Sequence, residues 1–214
     1  MSKIYLDVLD EKKQRVFQNL SFFKRYGYLA GGTALALQIQ HRRSYDFDVF
    51  TNKQVSNSLR KKASDVFGKI NYYVDSSDQI SFRTKDDIAI TFVWYYYKTL
   101  YPLVVTNAIN LASVYDIAAD KAHTIGRRAV WRDYVDVFIL LRENIVTLKQ
   151  INQLAQKKFG GVFNEALFLQ QLCYFKDVTE VPIDFLKKSY TSSEIKSFLQ
   201  DQVEEYLSRI LPEI

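Results

Sequence analysis

A chain of 214 residues, 48% hydrophobic and 15% aromatic, has ample material for a packed core, which argues against wholesale disorder. Its formal net charge of +5 permits a polyanionic partner without demanding one. A single cysteine, Cys173, excludes an internal disulfide and fits a reducing compartment, and no apolar run is long enough to cross a bilayer as a helix. The opening MSKIYLDVLDEKKQ carries acids and lacks a small-residue cleavage site, so no signal peptide is expected there, and the chain reads as soluble and cytoplasmic with no membrane partner.

Along the chain, residues 10–25 place Val16, Leu20 and Phe23 at helical spacing. Tyr26 to Ala30 reads as a short strand, Gly32 to Gln40 as a helix and Tyr45 to Thr51 as a second strand. Residues 55–67 look helical. Three strands follow at Ile70 to Val74, Gln79 to Arg83 and Ile88 to Tyr96, turned at Asp75–Asp78 and Lys85–Asp87. From Asn110 the pattern is helical, with breaks at Gly126, Gly160-Gly161 and Pro182. The expectation is an α+β domain over residues 1–108 and an all-helical domain over residues 109–214.

The strand Tyr45-Asp46-Phe47-Asp48-Val49-Phe50 raises a chemical question. Residues i and i+2 of a strand share a face, so Asp46 and Asp48 stand side by side opposite Phe47 and Val49. Two co-facing carboxylates repel, and a divalent cation removes that repulsion while leaving positions open for phosphate oxygens. The plain alternative is an exposed edge strand with a polar face. Upstream, Gly31-Gly32-Thr33 lies between a strand and a helix, where backbone N–H groups and the helix dipole favour an anion. The plain alternative is a tight strand-to-helix turn, which paired glycines also make. Arg43 and Ser44, in the loop before the strand, would be available to phosphates.

A second group of residues lies in DIAADKAHTIGRRAVWRDYVDVFILL, Asp116 to Leu141. Val114, Ile117, Ala118 and Ile125 form an apolar stripe with Lys121 at its centre, and Asp116, Asp120 and His123 take the opposite, nominally solvated face. Lys121 needs an anionic partner or a route to water for its ammonium. Asp133 suits a helix N-terminus as a capping acid. Asp136 lies on a helix apolar nearly all round, where an unpaired carboxylate is costly, so Lys121 and Asp136 are candidates to pair. Basic clusters at Arg42-Arg43, Arg60-Lys61-Lys62 and Arg127-Arg128 with Arg132 read as solvated surface when each is taken alone.

Taken together, LAGGTALALQIQHRRSYDFDVFT and DIAADKAHTIGRRAVWRDYVDVFILL resemble the AbiEii/AbiGii toxin family of nucleotidyltransferases. The resemblance implies a DNA polymerase β-like nucleotidyltransferase domain with a mixed sheet, followed by a helical domain that completes the active site. It implies that Gly31, Gly32 and Thr33, with Ser44, position an NTP, and that Asp46 and Asp48 bind Mg²⁺ or Mn²⁺. It places the family's Lys and Arg-Asp-x-x-Asp block on Lys121, Arg132, Asp133 and Asp136, with Lys121 on the nucleotide phosphates and Asp136 completing the site. Such toxins act on RNA, some on tRNA 3′ ends, within toxin–antitoxin or phage-defence systems, and a partner antitoxin holds them in check. Arg42, Arg43, Arg127, Arg128 and Arg132 become candidate RNA or phosphate contacts.

The wider superfamily places a third carboxylate on a later strand, where this sequence has Thr91. Another acid, such as Asp136, then substitutes for it, or turnover is slow, or turnover is lost. Three functions therefore compete: an active transferase, a nucleotide or RNA binder of the same fold, and an interaction module built on Trp94-Tyr95-Tyr96-Tyr97. The last has its own plain alternative, a buried strand.

Overall fold

In a computed structural model that describes residues 3–210, the first helix starts where the Asp10 carboxylate accepts the Lys13 backbone N–H. This helix, α1 (Glu11–Asn19), is shorter than the stretch expected over residues 10–25. The chain tightens into a 3-10 turn over Leu20–Phe23. Residues i and i+3 eclipse in such a turn, which sends both Leu20 and Phe23 into the core.

The elements β1 (Gly27–Ala30), α2 (Gly31–Ile39), β2 (Asp46–Thr51), α3 (Asn57–Phe67), β3 (Tyr72–Asp75), β4 (Gln79–Arg83) and β5 (Ala89–Trp94) follow. The strands form one mixed sheet in the order β1-β2-β5-β4-β3. Only β2 and β5 run parallel; the other neighbours are antiparallel. β2 is thus an inner strand, and the edge-strand reading of its two acids fails.

Register separates the two faces of the sheet. Phe47, Ile90 and Phe82 lie in line across β2, β5 and β4, as do Val49, Phe92 and Ile80, and all six are fully buried. Phe23 and Phe67 cover them, with ring centroids 4.9 Å from Phe92 and 5.7 Å from Phe82 respectively. Asp48, Thr91 and Ser81 line up on the other face. A slip of one residue would expose side chains worth roughly 1.5–3 kcal/mol each and bury carboxylates instead, so the register of the acids is firmly set.

The outer edge of β1 is covered by the chain that follows the sheet. The Leu29 N–H donates to the Asn110 carbonyl and the Ala112 N–H to the Leu29 carbonyl, each at 2.8 Å. Leu111 also pairs with Val104. These bonds tie residues 104–112 to the sheet, and the chain divides into two compact units, Met1–Ser113 and Val114–Ile214.

The second unit contains α4 (Val114–Ile125), α5 (Trp131–Arg142), α6 (Leu148–Phe159), α7 (Glu165–Cys173) and α8 (Ser192–Ile210). α4 packs against α5, α6 and α7. One interruption was not expected. Asn144 takes a left-handed φ of 52° after α5, and a Thr147–Gln150 capping box starts α6 afresh. The break expected at Pro182 is present and is longer than one residue implies, since residues 174–191 contain no helix; Thr179 there pairs with Val130 ahead of α5. Helix resumes at α8, where Thr191 and Glu194 exchange capping hydrogen bonds.

Candidate active site

The glycine pair and the aspartate pair meet where β1 passes into α2. Ala30 pairs with Asp48, so the chain leaves β1 beside that carboxylate and turns directly into the helix. Gly31 makes the turn at φ +66°. A Cβ at Gly31 would lie 2.8 Å from Asp48 Oδ2. Both the left-handed backbone and the close approach therefore require glycine.

Thr33, in the first turn of α2, secures this geometry. Its Oγ1 lies 2.7 Å from Ser44 Oγ and hydrogen-bonds the Asp46 carbonyl, tying the helix to the start of β2. Ser44 is buried against Thr33, a correction to its expected place in an accessible loop; Arg42 is likewise buried, with Nη1 donating to the Arg43 carbonyl. Ser44 supports the turn, and Arg42 is no surface contact. Arg43 is half-buried.

The N-terminus of α2 carries the positive end of the helix dipole, and Ala30 supplies no side-chain cap. Asp46 is exposed and Asp48 half-buried on one face of β2. Their register partners on β5 are Ala89 and Thr91. The first unit thus presents an anion-favouring helix end and a cation-favouring acid pair side by side. A nucleoside triphosphate with its metal ion needs both.

In the second unit, Lys121 Nζ lies 2.5 Å from Asp133 Oδ1 and 2.6 Å from Asp136 Oδ2. All three side chains are nearly inaccessible, at 8%, 3% and 0% exposed, so Lys121 does not snorkel. Asp133 is not the cap; that position belongs to Val130, and Asp133 sits inside the first turn of α5. Arg128 Nη2 reaches Asp133 from the solvent side at 3.2 Å. Arg127 is exposed and Arg132 half-buried.

The expected solvated face of α4 is corrected most sharply. Asp116 is fully buried, and Lys158 of α6, also fully buried, lies 3.2 Å from Asp116 Oδ1 and 2.7 Å from Asp120 Oδ1. His123 stacks on Phe159 at 4.1 Å, and burial, reinforced by the Arg127 charge, lowers its pKa from 6.5 to about 4. Sequence reading missed Lys158, although it falls on the buried stripe of α6 with Ile151 and Ala155. A lysine in an apolar stripe was the available signal.

The family profile described as "Nucleotidyl transferase AbiEii toxin, Type IV TA system" matches residues 15–213. This chain belongs to the AbiEii nucleotidyltransferase toxin family. An uncharacterized protein of Aquifex aeolicus (strain VF5) is 31% identical over 184 residues, covering 84% of this chain and 87% of that one. Among solved structures, MenT4, a nucleotidyltransferase toxin of Mycobacterium tuberculosis H37Rv, aligns with a TM-score of 0.58 at 14% identity, over 90% of this chain and 80% of its own. JHP933 from Helicobacter pylori aligns with a TM-score of 0.52 at 14% identity, over 97% of each chain. At these identities the structures speak for the fold, a nucleotidyltransferase α+β domain followed by helices.

Within this AbiEii fold, the donor set can be tested against a divalent ion. Among the described residues, no three His, Cys, Asp or Glu side chains gather as a metal-binding group. Thr91 occupies the in-register position beside Asp48, and its Oγ1 lies 3.0 Å from Ser81 Oγ, so a hydroxyl pair stands where a third acid was looked for. Two carboxylates still suit Mg²⁺, which is often held by one or two carboxylates with water and substrate phosphates completing its shell. Asp46 and Asp48 fit that demand. No described helix is long and apolar enough to cross a membrane.

Proposed function

We propose that this AbiEii protein moves a nucleoside monophosphate from an NTP to an RNA hydroxyl, with tRNA 3′ ends among its acceptors. A divalent cation, Mg²⁺ or Mn²⁺, is held by Asp46 and Asp48. The protein acts in the cytoplasm as a toxin restrained by a cognate antitoxin protein. The observation that carries this reading is the Asp48 carboxylate set against Gly31 at the uncapped start of α2.

The RNA hydroxyl oxygen attacks the α-phosphorus, the bond to the bridging oxygen breaks, pyrophosphate leaves with that electron pair, and the hydroxyl proton passes to water. The cation, when bound, offsets charge on the attacking and leaving oxygens. The first-turn N–H groups of Gly31 and Gly32 orient the triphosphate, and Thr33 with Ser44 fixes that turn on β2. Exposed Arg127 and Arg128 are suited to RNA phosphates.

A second reading, a nucleotide or RNA binder with weak turnover, draws on the Thr91–Ser81 hydroxyl pair, because a hydroxyl is a poor general base. One experiment separates the two. The protein is incubated with labelled NTPs, Mg²⁺ and total RNA, beside Asp46→Ala and Asp48→Ala variants. Label entering RNA with the parent and with neither variant supports the transferase. Nucleotide binding without any transfer supports the binder, and transfer by either variant at the parent rate removes the metal assignment.

A further inference from the structure

The sheet face that carries the acids continues into a row of aromatic residues that the reaction does not use; Phe50, Tyr95 and Tyr97 are half-buried, and Phe50 rests on the buried Tyr28 at 6.0 Å. Phe50 follows Asp46 and Asp48 on that face of β2, and Val93 follows Thr91 on β5. The Tyr95 N–H donates to the Thr51 carbonyl, so pairing runs one residue beyond β5, and the Phe50 and Tyr95 rings lie 4.2 Å apart. Tyr97 follows at 5.5 Å from Tyr95, and Tyr96 lies 4.3 Å from Tyr97 with its hydroxyl donating to that of Tyr97. The aromatic residues of the core, Phe47, Phe82 and Phe92, point to the opposite face.

The row opens to water at its far end, where Tyr96 is 65% exposed and Lys98, just beyond, is exposed as well. Strand geometry sets the length of the row. Four residues separate Thr91 from Tyr95, about 13 Å at ~3.3 Å per residue, and the Tyr97 ring lies a further 5.5 Å from that of Tyr95, so the row from the acids to its far end covers roughly five to six stacked nucleotides at ~3.4 Å each. A row of aromatic rings ending in an exposed tyrosine, with hydroxyls at its edge and a cation just beyond, matches a single strand of nucleic acid, whose bases stack and whose backbone is anionic.

We propose that Phe50, Tyr95, Tyr97 and Tyr96 form a stacking track for the unpaired bases of the RNA acceptor, leading to a 3′ hydroxyl at Asp46 and Asp48. The proposal rests on the transferase reading for what sits at the acids. It adds that the acceptor carries a single-stranded 3′ end of about five to six nucleotides, the length the row spans. A nucleobase on this row could also come from the NTP, since Phe50 lies only about 7 Å along the strand from Asp48. Tyr96 and Tyr97 lie farther on and distinguish the two sources.

The test uses 5′-fluorescein RNA hairpins with 3′ overhangs from none to about ten nucleotides, read by anisotropy, which requires no turnover. Steady-state KM values for RNA and NTP are measured in parallel. Affinity of the parent should rise with overhang length to about five to six nucleotides and then level off. Tyr96→Ser and Tyr97→Ser should each weaken overhang binding on the order of 5- to 100-fold, with binding of the blunt hairpin and the NTP KM unchanged. Tyr73→Ser, which removes a tyrosine 58% exposed on β3, should change neither.

Equal weakening toward blunt and overhung RNA would overturn the track, as would no dependence on overhang in the parent. A raised NTP KM with unaltered RNA affinity would assign the row to the nucleotide. Intact RNA binding with lost inhibition by a protein partner would assign it to that partner. Overhang-dependent binding without nucleotide transfer would leave the track standing and remove the transferase reading; transfer indifferent to Tyr96 and Tyr97 would do the reverse.

Discussion

Gly31→Ala perturbs two properties at one position, and the structure sets the size of each. Alanine at φ +66° costs about 1–2 kcal/mol of backbone energy. For a domain of this size that corresponds to a melting temperature lower by about 2–8 °C. The new Cβ would also start 2.8 Å from Asp48 Oδ2, so the carboxylate must retreat about 0.6 Å to reach ordinary contact at 3.4 Å. Because a misplacement near 1 Å can cost about 100-fold in rate, transfer should fall by one to two orders of magnitude. Mn²⁺ affinity should fall with it.

The assay is a cycle with Asp48→Ala, combining melts in chelator with Mn²⁺ titration. In the Asp48→Ala background the contact is gone, so Gly31→Ala should there cost only its backbone energy and leave Mn²⁺ affinity unchanged. If Gly31→Ala alone lost stability but kept the parent's transfer rate and Mn²⁺ affinity, the glycine would serve the turn and nothing more.

Other outcomes follow from the same structure. Thr91→Asp sets a third carboxylate in register with Asp48 and should melt lower than the parent in chelator, with Mg²⁺ restoring more stability to it than to the parent; a melt indifferent to Mg²⁺ would place this strand away from the metal. Lys121→Met leaves Asp133 and Asp136 buried without their ammonium and should cost about 3–5 kcal/mol, much of it recovered by adding Asp136→Leu; a cost under ~1 kcal/mol would mean that water reaches the cluster. His123 favours its neutral form in the fold, so the unfolded chain binds more protons between pH 6.5 and about 4. Stability should therefore rise with pH across that window, with a shallower slope in His123→Phe; identical slopes would refute the assignment. Tyr134 is fully buried with no hydrogen-bond partner for its hydroxyl among the described residues, and burial pushes its pKa up to about 12. Tyr134→Phe should hold or gain about 1 kcal/mol in urea unfolding, and a clear loss would reveal an unseen partner for that oxygen.

Much of the fold was legible because strands and helices announce themselves by period. The alternation across β2, β4 and β5 fixed which residues face the core, and the two acids followed from it. The helical half was harder for a specific reason. Thr147-Leu-Lys-Gln150 and Thr191-Ser-Ser-Glu194 are capping boxes written in the sequence, yet both are embedded in stretches whose apolar content reads as continuous helix. The segment at 104–112 left no trace at all. It is held by backbone hydrogen bonds to β1 and by pairing within itself, and backbone bonds impose no side-chain pattern.

The charge clusters show where amphipathic reasoning loses its hold. It assigns one face of a helix to the core and the other to water, which sends Asp116 and Asp120 outward. α4 has neighbours on both sides: Lys121 meets Asp133 and Asp136 of α5 across one, and Lys158 of α6 meets Asp116 and Asp120 across the other. In each cluster one ammonium lies between two carboxylates, so the acids are buried without being unpaired, and burial ceases to track hydropathy. Lys121 was recognisable because it interrupts a clean apolar stripe. Lys158 interrupts one equally, but it ends a helix beside Lys157, where a cation is also favoured by the helix dipole. The same residue type at the same kind of position thus had a sufficient local explanation, and only the packing of α6 on α4 shows that this explanation was the wrong one.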